Sequence, residues 1–249
     1  MKVLLMAALL NAMAVSQAAE IPSSYTELLD YVQPGPDQGE TVTCLYVAST
    51  GVMELLANKK AGIKDPRPYG PNDLSESFVI NAPKGNARGM FLEIPIQRFN
   101  IGYGVHIDEW PFDAWIDSRP NMNVWNDRAW SRMKKITLPK IKTIPLFTYG
   151  NRWATHVLKD SHVQKIKEAL WKYKSPVMIN YNDDSYWHVI SIVGYDDAIP
   201  GDCYEITSKE CSQTTGSFYV RDSFGMAVEV RDYDWFKIKG NSAIVVTEQ

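Results

Sequence analysis

A surplus of positive charge is missing from this chain, and so is any long apolar run beyond its first residues. Its 26 lysines and arginines are outnumbered by 29 aspartates and glutamates, for a formal charge of −3. Nothing in that balance suggests a polyanion-binding surface, and no nucleic-acid partner is expected. The one basic patch, Lys134 to Lys142 (KKITLPKIK), reads as a solvated loop in so acidic a protein. After residue 18 no stretch reaches the about 18 to 20 uncharged apolar residues of a membrane-spanning helix, so no membrane anchor is expected. Internal repeats, low-complexity tracts and a second-domain linker are also lacking, which leaves one domain with a large core.

Cysteine is scarce as well, and three residues leave an odd one out. The start of the chain gives the compartment: Lys2, a mostly apolar run from Val3 to Val15, and small residues at Ser16-Gln17-Ala18. Residues 1–18 therefore read as a cleaved export signal, with 19–249 as the domain, secreted or periplasmic once released. In an oxidising compartment Cys203 and Cys211, which flank the polar segment YEITSKE, are expected to close a disulfide. Cys44 is then the free thiol. On its own segment two readings stay open: a reactive thiol, or an inert cysteine filling core space.

Leu45, Ala48, Val52 and Leu55 recur at spacings of three and four, predicting a helix that starts at Cys44 with Thr43 as N-cap and one buried stripe. Unpaired N–H groups and the positive end of the helix dipole at such a start favour an anionic sulfur. Further helices are predicted near Leu74 to Ile80, from Phe91 to Phe99 with Pro95 in a first turn or break, and from Ser161 to Tyr173 behind a Ser161/Gln164 capping box. Strands are predicted at Leu146 to Tyr149, Pro176 to Tyr181, His188 to Tyr195, Gly216 to Arg221, Met226 to Val230 and Ser242 to Thr247. Helices first and strands second predict an α+β protein with a helical lobe and an antiparallel β lobe. The tryptophan-rich stretch Trp110 to Trp130 fits no element and is expected to be core.

Gln38, Cys44, His188 and Asp222 follow one another as amide, thiol, imidazole and acid. Acyl transfer needs those four: an oxyanion donor, a nucleophile, a base and a group that fixes the base's tautomer. Neighbouring antiparallel strands can bring His188 and Asp222 together. Each residue alone is weak evidence, since a strand histidine or an aspartate after a strand is more often structural.

The flanks of these residues resemble the papain family of cysteine peptidases along nearly the whole of 19–249. Ile21-Pro22 with Asp30-Tyr31-Val32 resembles the family's start, and Gln38-Gly39 the lead to its oxyanion glutamine. Cys44 to Glu54 is similar to its nucleophile helix, and Leu74-Ser75-Glu76 to its Leu-Ser-Glu segment. His188 with Gly194-Tyr195 is similar to its histidine strand, and Arg221 to Gly225 to its Asn-Ser-Trp-Gly. The resemblance implies a two-lobe papain-like fold, with Gln38 as oxyanion donor, Cys44 as nucleophile, His188 as base and Asp222 as orienter. Asn86, Ala87, Arg88 and Gly89 fall at the family's cleft-lining glycine pair, and Trp187 is expected at the same cleft. A peptide or protein substrate, a monomer, and no cofactor or metal follow from the same resemblance.

Four departures stand out. Thr41, Val42 and Leu45 replace a cysteine, a glycine and a tryptophan around the nucleophile, so the family's disulfide is missing there. Asp222 stands for an asparagine, Phe224 for a shielding tryptophan, and Gly89 lacks a neighbouring glycine. No inhibitory pro-region separates the signal from the family-like start, so activity is expected to be restrained in another way or to be low. Two other functions fit the same residues: a weak or inactive relative that binds peptides in the cleft, and another Cys-His-Asp acyl-transfer enzyme such as a leader-type peptidase or an amidase.

Overall fold

Gly62 stops the longest helix among the described residues. In α1 (Cys44–Ala61) the chain runs to Gly62, whose φ of 68° lies in the left-handed region and whose N–H caps the Asn58 and Lys59 carbonyls. The computed structural model describes residues 20–81, 92–113, 132–148, 158–183, 186–202, 216–225 and 228–249. The expected export signal, the segment 86–89, most of Trp110 to Trp130, and both Cys203 and Cys211 lie outside the described residues.

The predicted single buried stripe of α1 is too modest. Every residue from Cys44 to Asn58 except Tyr46 is buried, because the helix is covered on both sides. The strand β6 (Tyr186–Asp196) packs on one side, and α2 (Glu76–Asn81) and α3 (Glu93–Arg98) on the other. Several of its buried polar groups are met inside the protein. The Ser49 hydroxyl donates to the Leu45 carbonyl at 2.6 Å. Glu54 accepts the Leu74 N–H at 2.9 Å and Arg221 Nη2 at 3.1 Å. Burial pushes the Glu54 carboxyl well above its usual range, against the pull of Arg221. Thr43 precedes the helix without a side-chain cap bond; its hydroxyl instead pairs with that of Thr41 at 2.9 Å.

The helical lobe is completed by the antiparallel pair β2 (Tyr103–Val105) and β3 (Lys135–Thr137). Pro95 sits in the first turn of α3, where its missing N–H leaves no helical bond unmade. The lysine-rich stretch expected as a loop supplies β3 and the start of β4 (Ile141–Phe147). Its lysines 134, 135, 140 and 142 are exposed while Ile136, Leu138 and Ile141 are buried, which is the alternation of a half-buried strand.

The β lobe is one antiparallel sheet in the order β4-β9-β5-β6-β7-β8, with β1 (Ser24–Tyr25) added beside β6. Its other strands are β5 (Val177–Asp183), β7 (Ser217–Arg221), β8 (Glu229–Asp232) and β9 (Gly240–Glu248). β4 begins earlier than predicted and runs through Pro145. That is tolerated because, among the described residues, β4 is an edge strand paired only with β9, with a register slip between Pro145 and Phe147. The helix α4 (Asp160–Tyr173) packs on the sheet. Its start is closed not by the predicted Ser161/Gln164 box but by the Lys159 N–H donating to His162 Nδ1 at 3.0 Å. A helix absent from the sequence prediction, α5 (Tyr233–Lys239), follows β8 directly, with the Asp232 carboxylate accepting the Asp234 N–H at 2.7 Å.

Candidate active site

Cys44 occupies the first position of α1. The first intrahelical bonds run from the Tyr46 and Val47 N–H groups to the Thr43 carbonyl, so the Cys44 N–H lies outside the helix's own ladder. The side chain is 2% exposed, and its thiol lies within hydrogen-bonding reach of the His188 ring. His188 comes early in β6, opposite Tyr181 of β5. The β6–β7 register sets Ser191 against Arg221, so Asp222, one residue past β7, lies beside the histidine end of β6. There His188 Nε2 donates to Asp222 Oδ1 at 2.7 Å. With Nε2 so engaged, Nδ1 is the ring nitrogen left for the sulfur.

Charge follows from those contacts. Burial opposes the imidazolium, but hydrogen bonds to Asp222 and Cys44 and the attraction of both outweigh it, raising His188 to about 9. Burial likewise opposes the Asp222 carboxylate. Its bond to His188, the nearby Arg231 and the Ser223 N–H (2.7 Å) nevertheless hold it below the usual carboxylate range. Phe224 stacks on the imidazole, with centroids 5.4 Å apart and planes 13° apart. Tyr181 and Tyr186 meet the same ring edge-on at 5.3 and 5.9 Å. The histidine–aspartate bond is thus screened from water on several sides.

Gln38 reaches the site from a separate loop. Gly39, at φ 53°, makes the left-handed turn after it. The Gln38 N–H donates to the Ser223 carbonyl at 2.8 Å, and Asp37 bridges to Phe224, so this loop is stitched to the one that carries Asp222. Within the loop Gln38 Nε2 donates to the Thr41 carbonyl at 2.7 Å, and the Thr41 hydroxyl returns a bond to the Gln38 carbonyl at 2.7 Å. The Gln38 Oε1 is buried with no hydrogen-bond partner among the described residues. Val42, where the resemblance has a glycine, is 79% exposed at the mouth of this loop.

The structure therefore brings Cys44, His188 and Asp222 together and fastens the Gln38 loop beside them. Trp187 is half-buried opposite Asn182. Strand alternation turns it to the face of β6 away from His188. Sequence reasoning missed Arg231, whose Nη2 donates to Asp222 Oδ2 at 2.7 Å and to Glu229 Oε2 at 2.9 Å. No local signal marks it, since the contact depends on how β8 lies against β7. Among the described residues no group of three His, Cys, Asp or Glu side chains could hold a metal ion, and no helix is long and apolar enough to cross a membrane.

No protein-family model matches the chain, and no curated protein matches it in sequence. Solved structures do. The bromelain protease from Ananas comosus, in complex with the E64 inhibitor, matches 92% of this chain and 100% of its own, with a TM-score of 0.55 and 14% identity. Digestive procathepsin L 3 of Tenebrio molitor larval midgut matches 94% of this chain and 72% of its own, at 0.57 and 14%. The cysteine protease and lectin-like domains of Cwp84, a surface layer associated protein of Clostridium difficile, match 92% of this chain at 0.61 and 14%. The fold is papain-like. This chain spans about half of the Cwp84 structure, 52%. At such identity the likeness is one of architecture, and within the papain-like fold the Cys44 helix abuts β6 at the seam between the two lobes.

Proposed function

We propose that this papain-like protein is a cysteine peptidase that hydrolyses peptide bonds through a Cys44 acyl-enzyme. The observation that carries this reading is the buried chain of contacts from the Cys44 thiol through His188 to Asp222, with the imidazole raised to about 9. With His188 held protonated beside it, the Cys44 sulfur acts as the nucleophile. The thiolate attacks the substrate carbonyl carbon, and the negative charge that develops on the carbonyl oxygen is met by the Cys44 N–H and by the second proton of Gln38 Nε2. His188 gives its proton to the leaving amine as the C–N bond breaks. It then takes a proton from water, whose oxygen displaces the thiolate and releases the acid. No cofactor or metal enters these steps. A cleaved export signal at residues 1–18, a monomeric state and a Cys203–Cys211 disulfide complete the proposal.

One observation favours a second reading, a peptide-binding relative with little turnover: the Gln38 amide is already turned onto the Thr41 carbonyl, which leaves a single N–H for an oxyanion. One experiment separates the two. Iodoacetamide at neutral pH is expected to label Cys44 in the folded protein ahead of Cys203 and Cys211, as read by peptide mapping. Cys44→Ala is expected to lower turnover of a fluorogenic peptide panel by about 10³-fold or more. A wild type that binds panel peptides without cleaving any would decide for the second reading.

A further inference from the structure

We propose that Arg231 is a positioning residue of the reaction centre, holding the second oxygen of Asp222 and so dictating that an acid, not an amide, orients His188. This rests on the cysteine-peptidase reading for its consequence in turnover, but not for its geometry. Both oxygens of Asp222 are in use as acceptors. Oδ1 takes His188 Nε2 and the Ser223 N–H, each at 2.7 Å, and Oδ2 takes Arg231 Nη2 at 2.7 Å. A carboxylate can serve both sides, whereas an amide offers one oxygen and one NH₂. With Arg231 in place, an asparagine at 222 has two orientations and both fail. Its oxygen can face Arg231, which sets NH₂ against His188 Nε2 and demands an acceptor nitrogen where the mechanism needs a donor. Or its oxygen can face His188, which sets NH₂ against the guanidinium.

Arg231 has no room to turn away. It is 1% exposed, its guanidinium lies over the Trp235 ring at 4.6 Å and the Tyr181 ring at 5.9 Å, and Glu229 accepts from both Nε (3.2 Å) and Nη2 (2.9 Å). It also sets the charge balance. The groups facing His188 are Cys44 from α1, Asp222 beyond β7, Tyr181 from β5 and Tyr186 on β6. Burial raises Tyr181 and keeps it neutral. Arg231 offsets the Asp222 charge, with Glu229 at 16% side-chain exposure sharing the guanidinium. An unshielded Asp222 would bind the imidazolium proton more tightly and slow its transfer to the leaving amine.

Four proteins test this: wild type, Asp222→Asn, Arg231→Met, and the Asp222→Asn/Arg231→Met double variant. Asp222→Asn is expected to lose about 10²-fold or more in Cys44 alkylation rate and turnover through the wrong tautomer. The double variant is expected to regain at least about tenfold of that loss, because the amide oxygen is then free for His188. Arg231→Met alone is expected to shift the alkaline limb of the alkylation profile upward. The double variant removes both buried charges together, so it stays testable even where the Arg231→Met single variant fails to fold. Asp222→Asn matching wild type, or a double variant no better than Asp222→Asn, would overturn the proposal. The His188 tautomer and titration, followed by ¹⁵N NMR of histidine-labelled protein, read the same four proteins without any turnover. An unreactive wild type would therefore sink the peptidase reading while the NMR still decided the role of Arg231.

Discussion

At the scale of single residues, the pH dependence of His188 is the most direct consequence of the site. Its folded value of about 9 lies above the ordinary 6.5, so the fold favours the imidazolium. The stability this contributes is fully present below about pH 6.5 and is lost as pH rises through about 9. Asp222 behaves in the opposite sense: its value is lowered, and its contribution is present at neutral pH and lost as pH falls through the folded value. The rate of Cys44 alkylation by iodoacetamide is therefore expected to stay level from neutral pH to about 9 and then to change. A profile breaking near 6.5 would mean that the contacts to Asp222 and Cys44 do not hold in solution. The residue types of this group were legible in the sequence because an amide, a thiol, an imidazole and an acid are the set acyl transfer needs, and their flanks resemble one family. Arg231 was not. Nothing within a few residues of it differs from an ordinary charged strand, and its meaning lies in a contact between hairpin neighbours.

Among the elements, α1 carries the strongest constraint. Arg221, the last residue of β7, is buried against it and donates from Nε to the Gln33 carbonyl, from Nη1 to the Val47 carbonyl and from Nη2 to Glu54. The guanidinium fits only because position 51 lacks a side chain: a Cβ there would lie 1.9 Å from Arg221 Nη1 and 2.1 Å from Cζ. Replacing glycine by alanine inside a helix ordinarily stabilises by about 0.5–1 kcal/mol. Here the sign reverses. Gly51→Ala is expected to expel Arg221, strand the buried Glu54 and destabilise by about 3–5 kcal/mol, as measured by urea unfolding. Element existence was legible where periodicity is strong, as in α1, α4 and the β6 run from His188. It failed where chemistry is ambiguous at short range. Asp234 to Lys239 (DWFKIK) mixes aromatic and charged residues in a way that fits strand and helix alike. Only the Asp232 cap bond reveals α5. The strand predicted only from Leu146 begins at Ile141, because the sheet edge can accommodate Pro145.

For the whole molecule, α1 belongs to both lobes at once. It packs on β6 and on α2 and α3, Arg221 spans it, the Gln38 N–H holds the Ser223 carbonyl, and Lys59 Nζ donates to the Lys174 carbonyl at 2.5 Å. The lobes are therefore expected to unfold as one cooperative unit: tryptophan fluorescence and far-ultraviolet circular dichroism should trace coincident denaturant transitions. Two resolved transitions would contradict that coupling. The division into a helical and a β lobe was legible because helix-period patterns precede strand-period ones. The strand order was not, since the placement of β9 between β4 and β5 is a long-range pairing without a local trace.

The loop from Gln38 to Thr41 holds its shape through the reciprocal bonds between those two residues and the hydroxyl pair of Thr41 and Thr43. None of these responds to reductant. A thiol enzyme whose oxyanion loop is clamped by a disulfide meets a conflict, because the conditions that keep its nucleophile reduced also threaten the clamp. Here the two are uncoupled. Dithiothreitol can regenerate an oxidised Cys44 while leaving the Gln38 loop as it was, so reductant acts on Cys44 and on the proposed Cys203–Cys211 pair but not on this loop.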